Sequence, residues 1–303
     1  MIRILTLLFF ITLVFNSHAQ QVRAYYQTTG EADSLKQKGE FARALPLYVK
    51  AEKINNTDGF IDRNLAFIYL KFNNLKKADD YIYKAVVKGV TIDQLNSDTL
   101  IKGYLAKANF DQRYQKARKI YYSNIEYPDQ MIEVFQMLER DQATRDLYGA
   151  RKIDLKIFES AGSEIDSANT DELKEIVKKI GFPGYKEIGN EAVASLFTLM
   201  LHIPLDGIND AQDMALFAPL IKQQVLKGNF PPVCYALIVD RYNYTKFKSQ
   251  VFGTYWEYDA KKKGRVITTI KDISNVDKLR AEIFLPPLSK SREQGLMLPD
   301  DYK

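Results

Sequence analysis

Cysteine and histidine are nearly absent from this chain, and the two scarcities remove much of the familiar protein chemistry. One cysteine occurs in 303 residues, so there is no internal disulfide framework. Cys234 lies in the apolar stretch Val233-Cys234-Tyr235-Ala236-Leu237-Ile238-Val239 and reads as a small buried hydrophobe. Of the two histidines, His18 falls in an N-terminal leader and His202 stands alone beyond it. That excludes a metal site built on two histidines, and no metal or cofactor is expected. Any imidazole chemistry must use His202. A Gly-rich phosphate loop, a Gly-x-Ser-x-Gly elbow, a His-Glu-x-x-His pair and a paired-cysteine metal motif are also missing. Past the leader, no apolar run approaches the ~20 residues of a membrane span.

Charge of one sign is also scarce. The formal net charge of +5 falls to +4 without Arg3, which is ordinary for this size. No basic face of any length exists, so no nucleic-acid partner is expected. The densest basic run, Lys261-Lys262-Lys263-Gly264-Arg265, reads as a solvated turn or, less plainly, as a contact for an anionic envelope polymer.

The first residues predict an export signal, residues 1–19. Arg3 supplies the positive n-region, and Ile4 to Phe15 form an apolar h-region of about a dozen residues, within the usual ~7–15. Ser17-His18-Ala19 puts small residues where a signal peptidase reads, so cleavage is expected after Ala19. No cysteine follows the h-region to carry a lipid anchor. The mature chain is expected to be soluble and periplasmic or secreted. Its length of about 284 residues suits one or two domains at ~100–200 residues each.

Two stretches then superimpose at an offset of 34 residues. Gly39, Phe41, Ala44, Tyr48 and Ala51 align with Asn73, Leu75, Ala78, Ile82 and Ala85. Such a period, with small residues at fixed points, marks stacked helical hairpins of the tetratricopeptide type. The spacing predicts a helix ending near Lys38, then helices over Phe41–Ile54, Ile61–Phe72 and Leu75–Lys88. Ala44 and Ala51 sit where helices approach closely, and Tyr48 fills the gap one turn from each. A third, blurred unit covers Asp93–Tyr122 and caps the stack. The repeat region is placed at residues 20–125, with a protein or peptide as its expected partner.

Residues 126–303 predict an α+β domain of about five helices with one β-hairpin, so the whole chain is mainly α. One helix is expected from Asp129 to about Ser160. Asn169-Thr170-Asp171-Glu172 reads as a capping signature that starts the next, and Gly181 with Pro183 ends it. A helix after Gly189-Asn190 carries Val193, Leu196, Phe197 and Met200 inward until Pro204. Ala211–Lys227 follows, with Leu216, Leu220 and Val225 on the apolar side, and then Pro231 to about Tyr244. Gln250–Tyr258 and Arg265–Ile270 read as the two strands of a hairpin whose aromatic face must pack on the helices. A short helix near Val276–Phe284 precedes an irregular tail from Pro286-Pro287.

The polar residues that carry chemistry all fall in this second half. Asp141 and Arg145 are four apart and share a helix face, with Gln142 beside them. His202 sits at a helix end, where a protonated imidazole is favoured, yet lies between inward-facing Leu199 and Ile203. Asp240-Arg241 ends an apolar helix. Gly253 in the Gln250-Val251-Phe252-Gly253-Thr254 run suggests a bulge or the close approach of another group.

In this order the residues resemble a bacterial domain-of-unknown-function family, number 6624, over about Met137 to Pro287. The family pattern of Asp-Gln-x-x-Arg, a Gly-Phe-Pro turn, a Gly at the head of a helix ending in His, an Asp-Arg pair, a Gln-x-x-Gly-Thr run and a closing arginine falls on Asp141, Gln142, Arg145, Gly181, Phe182, Pro183, Gly189, His202, Asp240, Arg241, Gln250, Gly253, Thr254 and Arg280. Leu201 and Phe252 stand where the family has Gln and Tyr. The family has no established activity, so the resemblance implies boundaries and a set of polar residues to examine. Two arrangements stay open. In a polar pocket, His202 is the acid/base, Asp240 orients it, Arg241 and Arg145 hold an anionic group, and Gln250 with Thr254 positions substrate; Asp141, Gln142 and Arg280 complete the candidate binding set. In a structural network, the same groups fix helices against the hairpin. The expectation is an exported interaction protein, with an envelope hydrolase or transferase as the alternative.

Overall fold

The computed structural model describes residues 2–203 and 210–302, with side chains from residue 18 onward. Most of the expected export signal, and Pro204 as a helix stop, therefore lie outside the described residues or side chains. The chain divides into two compact units, Met1–Ile125 and Glu126–Lys303. Among the described residues no helix is long and apolar enough to cross a membrane.

The first unit is entirely helical among its described residues: α1 (Ile2–Gln37), α2 (Phe41–Ile54), α3 (Gly59–Lys71), α4 (Leu75–Val87), α5 (Ile92–Asn96), α6 (Thr99–Ala108) and α7 (Asp111–Ser123). Short turns pair α1 with α2, α3 with α4, and α6 with α7 as antiparallel hairpins. Gly39 and Asn73 turn the first two with positive φ of 76° and 55°, a conformation that Gly and Asn tolerate best. Asp58, Asn74 and Asp98 cap α3, α4 and α6 by accepting backbone N–H bonds, which satisfies donors that a helix start leaves open.

The 34-residue pattern is a packing pattern. Ala44, Tyr48 and Ala51 are completely buried, and so are their counterparts Ala78, Ile82 and Ala85. The missing Cβ branches let α2 and α4 approach their neighbours, and the larger residue between fills the space left. The period blurs in the third hairpin because α5 is inserted before α6. That short helix is fixed by a reciprocal cap between Thr91 and Gln94.

The second unit contains α8 (Pro128–Gly149), α9 (Leu155–Ile180), α10 (Tyr185–Leu201), α11 (Asp210–Leu226), α12 (Pro232–Phe247) and α13 (Val276–Glu282), with β1 (Trp256–Asp259), β2 (Gly264–Ile267) and β3 (Leu296–Met297). Helix α8 packs on α9 and α10. The mainly α fold with a small β element is as expected, but several elements differ in detail.

The helix expected to run to Ser160 breaks after Gly149. Asp154 then caps α9 by accepting from Ile157 N at 2.9 Å. The supposed cap at Asn169 lies deep inside α9. Its side chain donates to Met137 O at 3.2 Å and accepts from Arg140 at 3.0 Å, so long-range partners replace the local one. Thr170 donates back to Asp166 O at 2.7 Å. In α11 the buried residues are Met214, Phe217, Ile221 and Val225, while Leu216 is exposed; the inward stripe is rotated from the one expected. In α10, Val193, Leu196 and Met200 are buried as expected, and Gly189 kinks the entry with a φ of 78°.

The sheet differs most. Only the second part of Gln250–Tyr258 is strand, because residues 250–255 wrap around α12. β1 and β2 are antiparallel, with Trp256 opposite Ile267 and Asp259 opposite Gly264. β3, unforeseen, lies parallel to β2 with Leu296 opposite Arg265. The aromatic face of the hairpin does not pack inward: Trp256 and Tyr258 are exposed. The anchor is instead aliphatic, with Ile267 and Ile270 against Val276, Leu288 and Leu298.

Candidate functional site

Three helices of the second unit bring one polar cluster together. Helix α8 carries Asp141, Gln142 and Arg145. Helix α9 carries Asp166 one turn before Thr170. His202 is the cap residue at the end of α10. The Asp141 carboxylate is fully buried and accepts from His202 Nδ1 at 2.9 Å and from Arg145 Nη2 at 2.8 Å. Gln142 also donates to it. Arg145 Nη2 reaches Asp166 at 2.9 Å, so one guanidinium ties two carboxylates.

The electrostatics follow from this crowding. Burial pushes the Asp141 carboxyl up, but the bonds from His202 and Arg145 outweigh it and hold the group below the usual carboxylate range. Asp166 moves the other way. Burial pushes it up to about 6 against the pull of Arg145. An ionised carboxylate only accepts, so Nδ1 of His202 must carry the proton that points at Asp141. Nε2 is then the basic nitrogen, and it has no hydrogen-bond partner among the described residues. A small cleft of about 10 Å³ beside the ring is lined by Asp166, Thr170, Leu173, Leu199, His202 and Ile203. It has room for roughly one water molecule.

The same residues are the ones that could hold a cation. Asp141, Asp166 and His202 each offer a donor atom, all within 4.8 Å of one another. Arg145 already supplies positive charge between the two carboxylates, so a metal would have to displace a guanidinium held by both.

The remaining expected residues form a different structure. Asp240, fully buried on α12, accepts from Val251 N at 2.7 Å, Phe252 N at 2.8 Å, Thr254 N at 2.9 Å and the Thr254 hydroxyl at 2.7 Å. Its two oxygens are consumed by the 250–255 loop, so it does not orient His202; Asp141 does. Gln250, also fully buried, accepts from Tyr255 N and donates to the carbonyls of Tyr255 and Thr268. Arg280 donates to Pro286 O and Phe252 O, both at 2.6 Å. Gly253 has a φ of 74°, and a Cβ there would meet Leu288 at 2.6 Å, the close approach its place in the run suggested. Asp240, Gln250, Thr254 and Arg280 thus lock a loop. Arg241 is half-buried beside Asp240 on α12. Cys234 is partly buried, and desolvation pushes its thiol up to about 12, which suits a packing residue and not a nucleophile.

Asp166 was missed by sequence reasoning. A signal existed: Gly162, Asp166, Asn169, Thr170 and Leu173 recur at helical spacing along one stripe. Reading Asn169 as a cap ended the helix in the wrong place and hid it.

The model for a family of unknown function, DUF6624, matches residues 128–302. That is more than half of the chain, and the chain belongs to this family. No curated protein and no solved structure matches it.

Proposed function

We propose, for this member of the DUF6624 family, an exported interaction protein of the cell envelope, whose tetratricopeptide-like stack over residues 20–125 recruits a protein or peptide and whose second domain spans residues 126–303. The observation that carries the reading is the polar row on the leading helices. Lys36 of α1 donates to Asn64 of α3 at 2.7 Å and lies 4.7 Å from the Phe67 ring centroid, while Lys71 extends the row over Phe41 and Phe67. Stacked hairpins present variable side chains of this kind along adjacent leading helices. Export is supported by Arg3, the Ile4–Phe15 apolar run and Ser17-His18-Ala19. A photo-crosslinking residue at exposed Lys71 should give one discrete adduct in envelope fractions, and the same probe at exposed Lys116 of α7 should not. Equal or absent labelling at both positions ends this reading. A fusion of residues 1–25 to a reporter enzyme that works only outside the cytoplasm tests export.

A second reading rests on the His202–Asp141 bond. A carboxylate on Nδ1 with Nε2 left basic is the arrangement of a general acid/base, and the cleft beside it holds about one water. This supports an envelope hydrolase or transferase with His202 as acid/base, Asp141 as its positioning residue and Arg145 as the neighbouring cation. A His202→Ala strain that matches wild type in phenotype, with protein of unchanged melting temperature, removes this reading.

A further inference from the structure

We propose that helix α4 carries a second binding surface in the first unit, and that this surface takes a short acidic peptide segment. It goes beyond the partner face described above, because it lies on the returning helices and not on α1 and α3. The cleft measures about 460 Å³ and is built by Lys77, Tyr81, Tyr83 and Lys84 of α4, with Tyr69 of α3 and Arg113 of α7 at its sides. That size is within the ~300–1,000 Å³ of small-ligand sites, enough for a few side chains.

Each cation of the cleft rests on a tyrosine ring. Lys77 Nζ lies 5.0 Å from the Tyr69 centroid, Lys84 Nζ 4.4 Å from Tyr81, and the Arg113 guanidinium 5.5 Å from Tyr83. Tyr69 and Tyr81 stack at 5.5 Å with planes 13° apart, so two of these platforms are themselves held in place. A cation fixed on a ring has less freedom to lose when it meets a carboxylate. Lys77 has no carboxylate partner among the described residues. Lys84 has Glu52 at 3.1 Å, and Arg113 has Asp79. Asp80 is the one acid in the lining.

The interspersed acids decide the class of ligand. Glu52, Asp79 and Asp80 break the positive field, so a uniformly charged polymer would meet repulsion at every second contact. A peptide with separated carboxylates and apolar or aromatic side chains between them meets cations and ring edges in turn. Lys77 is the anchor, because its charge is uncommitted.

The test uses the mature chain and a fluorescein-labelled peptide of alternating Glu and Tyr, with the matching Gln-Tyr peptide as control, read by anisotropy. The Glu-Tyr peptide should bind at least about tenfold tighter than the Gln-Tyr peptide, and Lys77→Glu should remove most of that difference. Arg113→Ala should weaken binding severalfold, with an unchanged melting temperature. Lys71→Glu, on the leading-helix row, should leave binding unchanged. Equal binding of the two peptides overturns the proposal, as does indifference to Lys77→Glu. Loss of binding in Lys71→Glu but not Lys77→Glu also overturns it, while leaving the leading-helix reading intact. A sulfated oligosaccharide that displaces the peptide more strongly than unlabelled peptide does would assign the cleft to a polyanion and overturn it too.

Discussion

The two units bury polar groups in different ways. The first is built on alanine, tyrosine and aliphatic residues that recur with the hairpin. Its one fully buried acid, Asp62, is matched by a single cation, Lys88 at 2.5 Å. The second unit buries Asp141, Asn169, Thr170, Asp240, Gln250 and Arg280 and satisfies each through partners far away in sequence. Periodic apolar packing specifies the repeat, whereas long-range polar locks specify the family domain. The residues of the family pattern therefore divide into two sets. Asp240, Gln250, Thr254 and Arg280 hold a loop, and Asp141, Arg145 and His202 face a cleft.

The largest expected effect is on a lock. Asp240→Ala strands three backbone N–H groups and a hydroxyl inside the domain, and should cost roughly 3–5 kcal/mol in denaturant unfolding of the second unit. A loss below about 1 kcal/mol would mean that the loop is not held by this carboxylate.

Asp62 tests the other unit. Burial pushes its carboxyl up to about 6, against the pull of Lys88. The folded state therefore holds its proton more tightly than the unfolded chain does. The contribution is fully present below about pH 4 and is lost as pH rises toward 6, a change on the order of 3 kcal/mol at most. Asp62→Asn should flatten that slope, so the stability difference between variant and wild type grows from pH 4 to 6 and then levels off. Parallel stability–pH curves for the two proteins would contradict the assignment.

Overpacking comes next. Ala44→Leu or Ala78→Leu should destabilise the first unit by about 1–3 kcal/mol, read by thermal melting. A neutral result would mean that the alanine register is wrong. The smallest effect separates a helix interior from a helix start. At Asn169, a change to Ala should cost about 1 kcal/mol through its buried bond to Met137 O. Glu172→Ala should cost roughly 0–1 kcal/mol, because its pair with Arg140 is exposed. A larger loss at Glu172 than at Asn169 would restore the capping reading.

Legibility follows the same division. The helices of the first two hairpins were readable almost to the residue, because a 34-residue repeat shows each small position twice. Gly181 and Pro231 punctuated the second unit correctly, since both act on their own backbone. What stayed hidden was pairing at a distance. Asp141 meets a histidine 61 positions away, and nothing local distinguishes that from a bond to Asp240. Asn169 looked like a cap because Asn followed by Glu three positions later usually is one; buried long-range partners overrode the propensity. The edge β3 has two residues, too few for any alternation to show.

The partner of His202 is the point on which the division of the polar residues turns. Long-range ¹H–¹⁵N correlation NMR, with His18 replaced by Gln, leaves one imidazole and reports which nitrogen holds the proton when the ring is neutral. The structure predicts the proton on Nδ1, with Asp141→Asn shifting that signal and Asp240→Asn leaving it in place. A proton on Nε2, or a response to Asp240 and not to Asp141, would contradict it.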